Sequence, residues 1–163
     1  MSLLVCLGIF SDVVFSNEDR RAMELIFKRR FARLEYDSEK NRLCVVWEGF
    51  AATEEFNDVV DLLAEWVRKK NIQTIWSDSS KQEVISQKSL KYYIAKTNEM
   101  GNHGLRFYGI VRPKDDFSFL VFKSYLAALE DSKVKIGHFE TECEMEKWLE
   151  QEGCSEKQPE AKE

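Results

Sequence analysis

The sequence predicts an α/β domain, with a mixed sheet that opens in an antiparallel hairpin, continues in parallel strands and carries helices packed against it. Three observations predict this. Two aromatic and β-branched runs, "LIFKRRFARLEYD" and "RLCVVWEGF", flank a polar turn cluster at residues 37–41. Beyond Gly49 the apolar residues switch to helical spacing, and helical stretches then alternate with short apolar runs three times. Such alternation implies parallel neighbours joined by right-handed crossovers. The 163 residues suit one domain. A chain of this size can bury a core without a disulfide or metal staple.

Each element has a local reason. Residues 25–37 read as one strand on aromatic content, and Gly49 and Phe50 close its partner. Thr53 is positioned to cap a helix, with Glu54 and Glu55 in the first turn, where the helix dipole favours anions. Phe56, Val59, Val60, Leu63, Trp66 and Val67 form its buried stripe, and Arg68, Lys69 and Lys70 suit its carboxyl end. "IQTIW" is a short strand ending in "SDSS". Ser86 or a neighbour starts a second helix bearing Leu90, Tyr93, Ile94 and Thr97, which stops at Met100 and Gly101. "LRFYGIV" is a strand cut off by Arg112 and Pro113. Asp115 or Asp116 then caps a helix carrying Phe119, Leu120, Phe122, Tyr125, Leu126 and Leu129. "VKIGHF" is the last strand. Thr141 and Glu144 make a capping box for a final helix that buries Met145, Trp148 and Leu149. From Gly153 the chain is polar and aperiodic, as in a disordered tail.

Charge narrows the function classes. The net charge is −5, but residues 140–163 hold nine acids and three lysines, so the remaining body sums to +1. Such a chain repels phosphate backbones, and no nucleic-acid partner is expected. Lys28, Arg29, Arg30 and Arg33 read as a solvated strand face. The four cysteines (Cys6, Cys44, Cys143 and Cys154) form no CxxC pair and have no histidine at ligand spacing, so no metal is expected. Free, reduced thiols in a cytoplasmic protein are the simple reading. "LLVCLGIF" has no basic residue before it and is too short to span a membrane. Residues 1–22 read either as an extra strand or short helix docked on the domain or, favoured by the domain-like start at Met23, as a dispensable extension; 23–152 read as the domain and 153–163 as an acidic tail.

The hairpin "LEYDSEKNRLCVVWEGF", the helix "TEEFNDVVDLLAEW", the strand "IQTIWSDSS" and the closing "KIGHFETECEMEKWL" together resemble the STAS-like, SpoIIAA-like family over residues 24–150. The resemblance implies a small α/β domain with a mixed sheet. Its best-known members are anti-sigma-factor antagonists, which bind a kinase-type anti-sigma factor and are switched by serine phosphorylation; others bind small ligands or lipids. Against the family's phosphorylation motif, Asp78 matches the strand aspartate, Ile85 the apolar residue before the motif and Leu90 its last leucine. Ser86 then falls on the motif aspartate, Gln87 and Lys88 on its two serines, and Ser89 on its glycine. The acceptor serines are absent at their matching positions. Ser86 either substitutes by a one-residue shift or merely caps its helix.

Ligands of open α/β sheets gather at the carboxyl ends of parallel strands. Two such ends are visible: Ser77, Asp78, Ser79 and Ser80 after one strand, and Arg112, Pro113, Lys114 and Asp115 after the next. They offer hydroxyls, a carboxylate and a guanidinium to a polar ligand or partner loop; the competing reading is turn and cap chemistry. The third helix is apolar around most of its girth, with Phe119, Phe122 and Leu126 on one side and Phe117, Val121 and Tyr125 on another. It is therefore either deep in the core or the cover of a hydrophobic pocket or homodimer surface. No nucleophile elbow, HExxH pair, P-loop or GxGxxG occurs. His103 and His138 are lone, and nothing in the spacing supports a triad of Ser80, His103 and Asp78. No catalytic residue and no cofactor are expected.

The expectation is a non-enzymatic regulatory or binding domain that docks a protein partner or a small apolar ligand near the third helix and the strand ends. A phospho-switch at Ser86, and a small hydrolase built on residues 77–80 with His103, are the alternatives.

Overall fold

The computed structural model describes residues 22–155, with side chains to residue 153. Its elements are β1 (Met23–Arg29), β2 (Ala32–Asp37), β3 (Arg42–Gly49), α1 (Thr53–Lys70), β4 (Thr74–Gln82), α2 (Gln87–Asn102), β5 (Phe107–Val111), α3 (Asp116–Ala128), β6 (Lys135–Phe139) and α4 (Glu142–Ser155). The six strands lie side by side in chain order. β1, β2 and β3 pair antiparallel, while β3, β4, β5 and β6 pair parallel. The expected α/β architecture with its mixed sheet is therefore present.

One expected strand is two. Residues 25–37 break at Arg30 and Phe31, where β1 folds back on β2 with Arg29 opposite Ala32. No Gly, Pro or Asn marks this turn. It is held instead by burial of Phe31, whose carbonyl accepts the Glu48 N–H (2.9 Å) and whose ring lies 6.0 Å from that of Phe27. β1 is thus an edge strand. Exposed Lys28, Arg29 and Arg30 and a register shift between Leu25 and Phe27 blunt it against further pairing.

The period-two alternation of the strands sorts the core into two layers. Leu34, Leu43, Val45, Trp47, Ile75, Tyr108 and Ile110 face α1, α2 and α3. Cys44, Trp76, Phe107 and Val111 face the other way and pack with Met145 and Leu149 of α4. Three helices therefore cover one face of the sheet, and α4 covers part of the other.

Several helix boundaries differ in detail. The N-cap of α1 is Ala52, not Thr53; the Glu55 carboxylate accepts the Ala52 N–H (2.8 Å), and the Thr53 hydroxyl instead meets the Ser86 hydroxyl (2.8 Å). Trp66 is only partly buried and lies 5.5 Å from Tyr36 at the rim of the α1 stripe. Ser86 caps α2, accepting the Ser89 N–H (3.0 Å). That helix runs through Gly101 to Asn102. Gly101 is a packing residue, not a cap: a Cβ there would lie 2.9 Å from Val134. Asp115 caps α3, and Thr141 and Glu144 form the capping box of α4. α4 continues past Gly153 to Ser155.

Cys44 is a free, buried thiol, but Cys143 is disulfide-bonded. The expectation of four free thiols fails there, and with it part of the argument for a reducing compartment. Among the described residues no helix is long and apolar enough to cross a membrane. The readings for residues 1–21 and 156–163 lie outside the described residues.

Candidate functional site

The carboxyl ends of β4, β5 and β6 carry most of the expected site residues, but not as one cluster. Ser77, Asp78, Ser79 and Ser80 are not a loop after a strand; they lie within β4, where Ser77 and Asp78 pair on both sides and Ser79 and Ser80 sit at a register shift against β3. Flanking ladders thus hold the first half of this segment extended against its turn-like composition. Strand alternation then splits it. Ser77 and Ser79 are buried beneath the helices, their hydroxyls 3.5 Å apart. Asp78 and Ser80 point to the α4 face, where Asp78 Oδ1 accepts the Ser80 N–H (2.9 Å).

Arg112, Lys114 and Phe119 do come together. With Pro113, Asp116, Glu140 and Thr141 they line an open cleft of about 450 Å³ beyond β5 and β6. The Arg112 guanidinium is ion-paired with Glu140 and lies 4.6 Å from the Phe119 ring centre; Lys123 Nζ lies 4.8 Å from the same centre. The Lys114 N–H donates to the Ser80 carbonyl (3.3 Å), which ties the β5–α3 loop to β4.

The third helix is not apolar-buried as its composition suggests. Only Ser118 and Tyr125 are fully buried, and Phe119 and Phe122 are half-buried. Phe117 and Leu120 stand 63% and 60% exposed beside the cleft. The reason is position: α3 crosses to the edge strand β6, so only its inward stripe has a neighbour to cover it.

Across Pro113 from the cleft lies a partly open cavity of about 30 Å³, lined by Ser79, Tyr93, Ile110, Ser118, Phe122 and Tyr125 among others. It has room for about one or two water molecules. A drug-sized ligand needs a pocket of roughly 300 Å³ or more. Leading away from it is a chain of buried hydroxyls that the sequence reading missed. Tyr125 donates to Thr97 (2.9 Å), Thr97 donates to the Tyr93 carbonyl (2.8 Å), Tyr93 and Tyr108 share a hydrogen bond, and Tyr108 meets Ser77. Burial pushes the Tyr108 phenol up to about 12 and raises Tyr93 and Tyr125 well above the ordinary value, so all three stay neutral donors. The readable signal was Tyr93 and Thr97 one turn apart on a buried stripe.

The α4 face holds a second missed group. Glu142, Met145, Glu146 and Leu149 fall on one side of α4, toward the sheet. Glu146 takes Arg42 Nη1 on both carboxylate oxygens (2.8 and 2.9 Å) and Lys40 Nζ (2.8 Å). Asp37 lies 3.5 Å from Arg42 Nε. Burial pushes the Glu146 carboxyl up, but Arg42 and Lys40 outweigh it and hold the group below its ordinary value. Glu142 has no such cation. Burial first, and then the Asp78 carboxylate to which it is hydrogen-bonded, push it up to about 7.

His103 is the C-cap of α2, at the end of the sheet where β5 begins, whereas Ser80 lies at the opposite end of β4. The paper triad of Ser80, His103 and Asp78 is not assembled. His138 lies on β6 with its ring 6.1 Å from Phe122. Among the described residues no group of three or more His, Cys, Asp or Glu could hold a metal ion.

No family model, curated protein or solved structure matches the chain. Chemistry must therefore be read from the geometry alone. The cleft is lined by neither an imidazole nor a thiol. It presents an aromatic ring flanked by two cations, with two large apolar side chains at its rim.

Proposed function

We propose that the chain is a non-enzymatic regulatory or binding domain of the STAS-like kind, which docks a protein partner on the first two turns of α3 and the adjoining cleft. The observation that carries this reading is the pair Phe117 and Leu120, exposed side by side next to the ring of Phe119 between Arg112 and Lys123. Large apolar side chains beside a cation-flanked ring are typical of a docking surface. The cleft is open and charged, with its large apolar side chains at the rim, which favours a protein partner over a small apolar ligand.

The test is affinity capture from the source cells with chemical cross-linking, comparing the wild type with a folded Phe117→Ser, Leu120→Ser double variant. A protein cross-linked to α3 in the wild type and lost with the variant is expected. Equal recovery by both would overturn the reading.

A second reading has one observation in its favour. Ser86 is exposed at the N-cap of α2, where a phosphate would meet the positive end of the helix dipole. Phosphopeptide mapping of the native protein checks it, and an unmodified Ser86 in cells carrying the partner would remove it.

A further inference from the structure

We propose that the contact between Asp78 and Glu142 is a pH-sensitive clasp: a proton held between the two carboxyls pins the first turn of α4 to β4, and its release frees that turn. The geometry is specific. Asp78 stands opposite Val46 and Val111 in the sheet, on the face that α4 covers, and Glu142 is the first residue of α4. Asp78 Oδ1 accepts the Ser80 N–H, and the Asp78 carboxyl also meets Glu142.

Among the described residues no cation offsets the upward shift of Glu142; Lys114 of the β5–α3 loop, which shares the cleft with Glu140 and Thr141, is exposed. On the surrounding elements, Arg42 of β3 and Lys40 of the β2–β3 turn are bound to Glu146. Arg33 of β2 is paired with Glu35, Arg112 with Glu140, and Lys135 of β6 with Glu152. The residues of β5 on this face are Phe107, Gly109 and Val111. Glu146 on α4 itself adds negative charge, and Glu144 is turned to the N–H groups of Glu140 and Thr141. Burial pushes the Cys44 thiol, on the same face, up to about 12, so it stays neutral. The two histidines lie elsewhere: His103 at the far end of the sheet and His138 against α3. Among the described residues on this face, Glu142, beside Asp78, is thus the carboxyl that burial and its neighbour push up to about 7.

When Glu142 gives up its proton to solvent water, two carboxylates are left facing each other in a half-buried setting, which favours separation. α4 makes most of its contacts with β5 and β6, and its first turn reaches β4 through Glu142. Glu140 and Thr141, which lead into that turn, also line the Arg112 cleft. Freeing the turn therefore loosens one wall of the cleft on the alkaline side.

The experiment is amide hydrogen exchange of the full chain between about pH 5.5 and about pH 8.5, corrected for intrinsic rates, with α1 as the internal reference. The wild type is expected to lose roughly tenfold of its protection in the first two turns of α4 as pH rises through neutrality, with α1 unchanged. Glu142→Gln, whose amide can still donate to Asp78, should keep α4 protected throughout. Asp78→Asn should move the loss to lower pH. If wild-type α4 follows α1 at every pH, or if Glu142→Gln keeps the rise, the clasp is wrong. Should Asp78→Asn fail to fold, the Glu142→Gln comparison decides alone.

Discussion

Gly109 of β5 lies directly under Met145 of α4: a Cβ added at residue 109 would sit 2.8 Å from Met145 Cγ and 2.9 Å from its sulfur. The helix approaches the sheet this closely because the strand has no side chain there. Gly109→Ala is therefore expected to cost about 1–3 kcal/mol by overpacking, read as a lower urea midpoint with unchanged slope. Met145 is fully buried, so Met145→Ala alone is also costly. The double variant should be more stable than the sum of the two, because the smaller side chain makes room for the new methyl. Strict additivity would show that the two residues do not share this contact.

The hydroxyl chain beneath α2 and α3 gives a second expectation. Tyr93 stacks on Tyr125 with ring centres 4.6 Å apart, and its hydroxyl serves Tyr108. Tyr93→Phe keeps the rings but strands a buried partner, at a cost of about 1–3 kcal/mol. Tyr92→Phe, whose hydroxyl meets Asp61 at the surface, should cost well under about 1 kcal/mol. Parallel thermal melts of the two variants make the comparison.

These two features mark where the sequence was legible and where it was not. The α1 stripe, the Ser86 and Asp115 caps and the Thr141–Glu144 box could be read because each depends on residues within one turn of each other. The break at Arg30 and Phe31 could not, since long-range burial of Phe31 makes that turn without any turn-forming residue. The "SDSS" run looked like a loop because its composition suits one, and pairing of Ser77 and Asp78 to β3 and β5 is what carries the strand into it. Arg112, Lys114 and Phe119 were foreseen as neighbours because one short loop joins them. Asp78 and Glu142 are separated by two helices and two strands, so nothing local links them.

Glu142 and Glu146 sit one turn apart and are shifted in opposite directions, so they predict opposite limbs of the pH–stability curve. Glu142 is raised from 4.5 to about 7, so what it contributes is complete below 4.5 and is lost as pH rises through about 7. Glu146 is lowered, so its contribution is present above 4.5 and is lost as pH falls through its depressed value. Glu142→Gln should flatten the alkaline limb, a gain of about 1–2 kcal/mol above neutrality once solvent screening of a half-buried group is allowed for. Glu146→Gln should flatten the acid limb and also cost about 2–4 kcal/mol at neutral pH, because it leaves buried Arg42 short of a partner. Denaturant midpoints from about pH 4 to about pH 9 separate the two. Matching slopes in both variants would contradict the assignment.

The two sides of α3 should respond to substitution in opposite ways. Tyr125 is buried against Tyr93 and Thr97, so Tyr125→Ala removes a packed ring and a hydrogen bond and should cost about 3–5 kcal/mol. Phe117 and Leu120 make no such contacts and are mostly in water, so Phe117→Ser and Leu120→Ser should change stability by no more than about 0.5 kcal/mol each. Selection for folding alone gives no reason to keep two large apolar side chains where they add nothing to stability. Near-neutral melting temperatures for both variants would therefore assign these side chains to recognition. A loss of 2 kcal/mol or more, on the order of a core truncation, would mean that they are part of the fold and that the docking surface lies elsewhere.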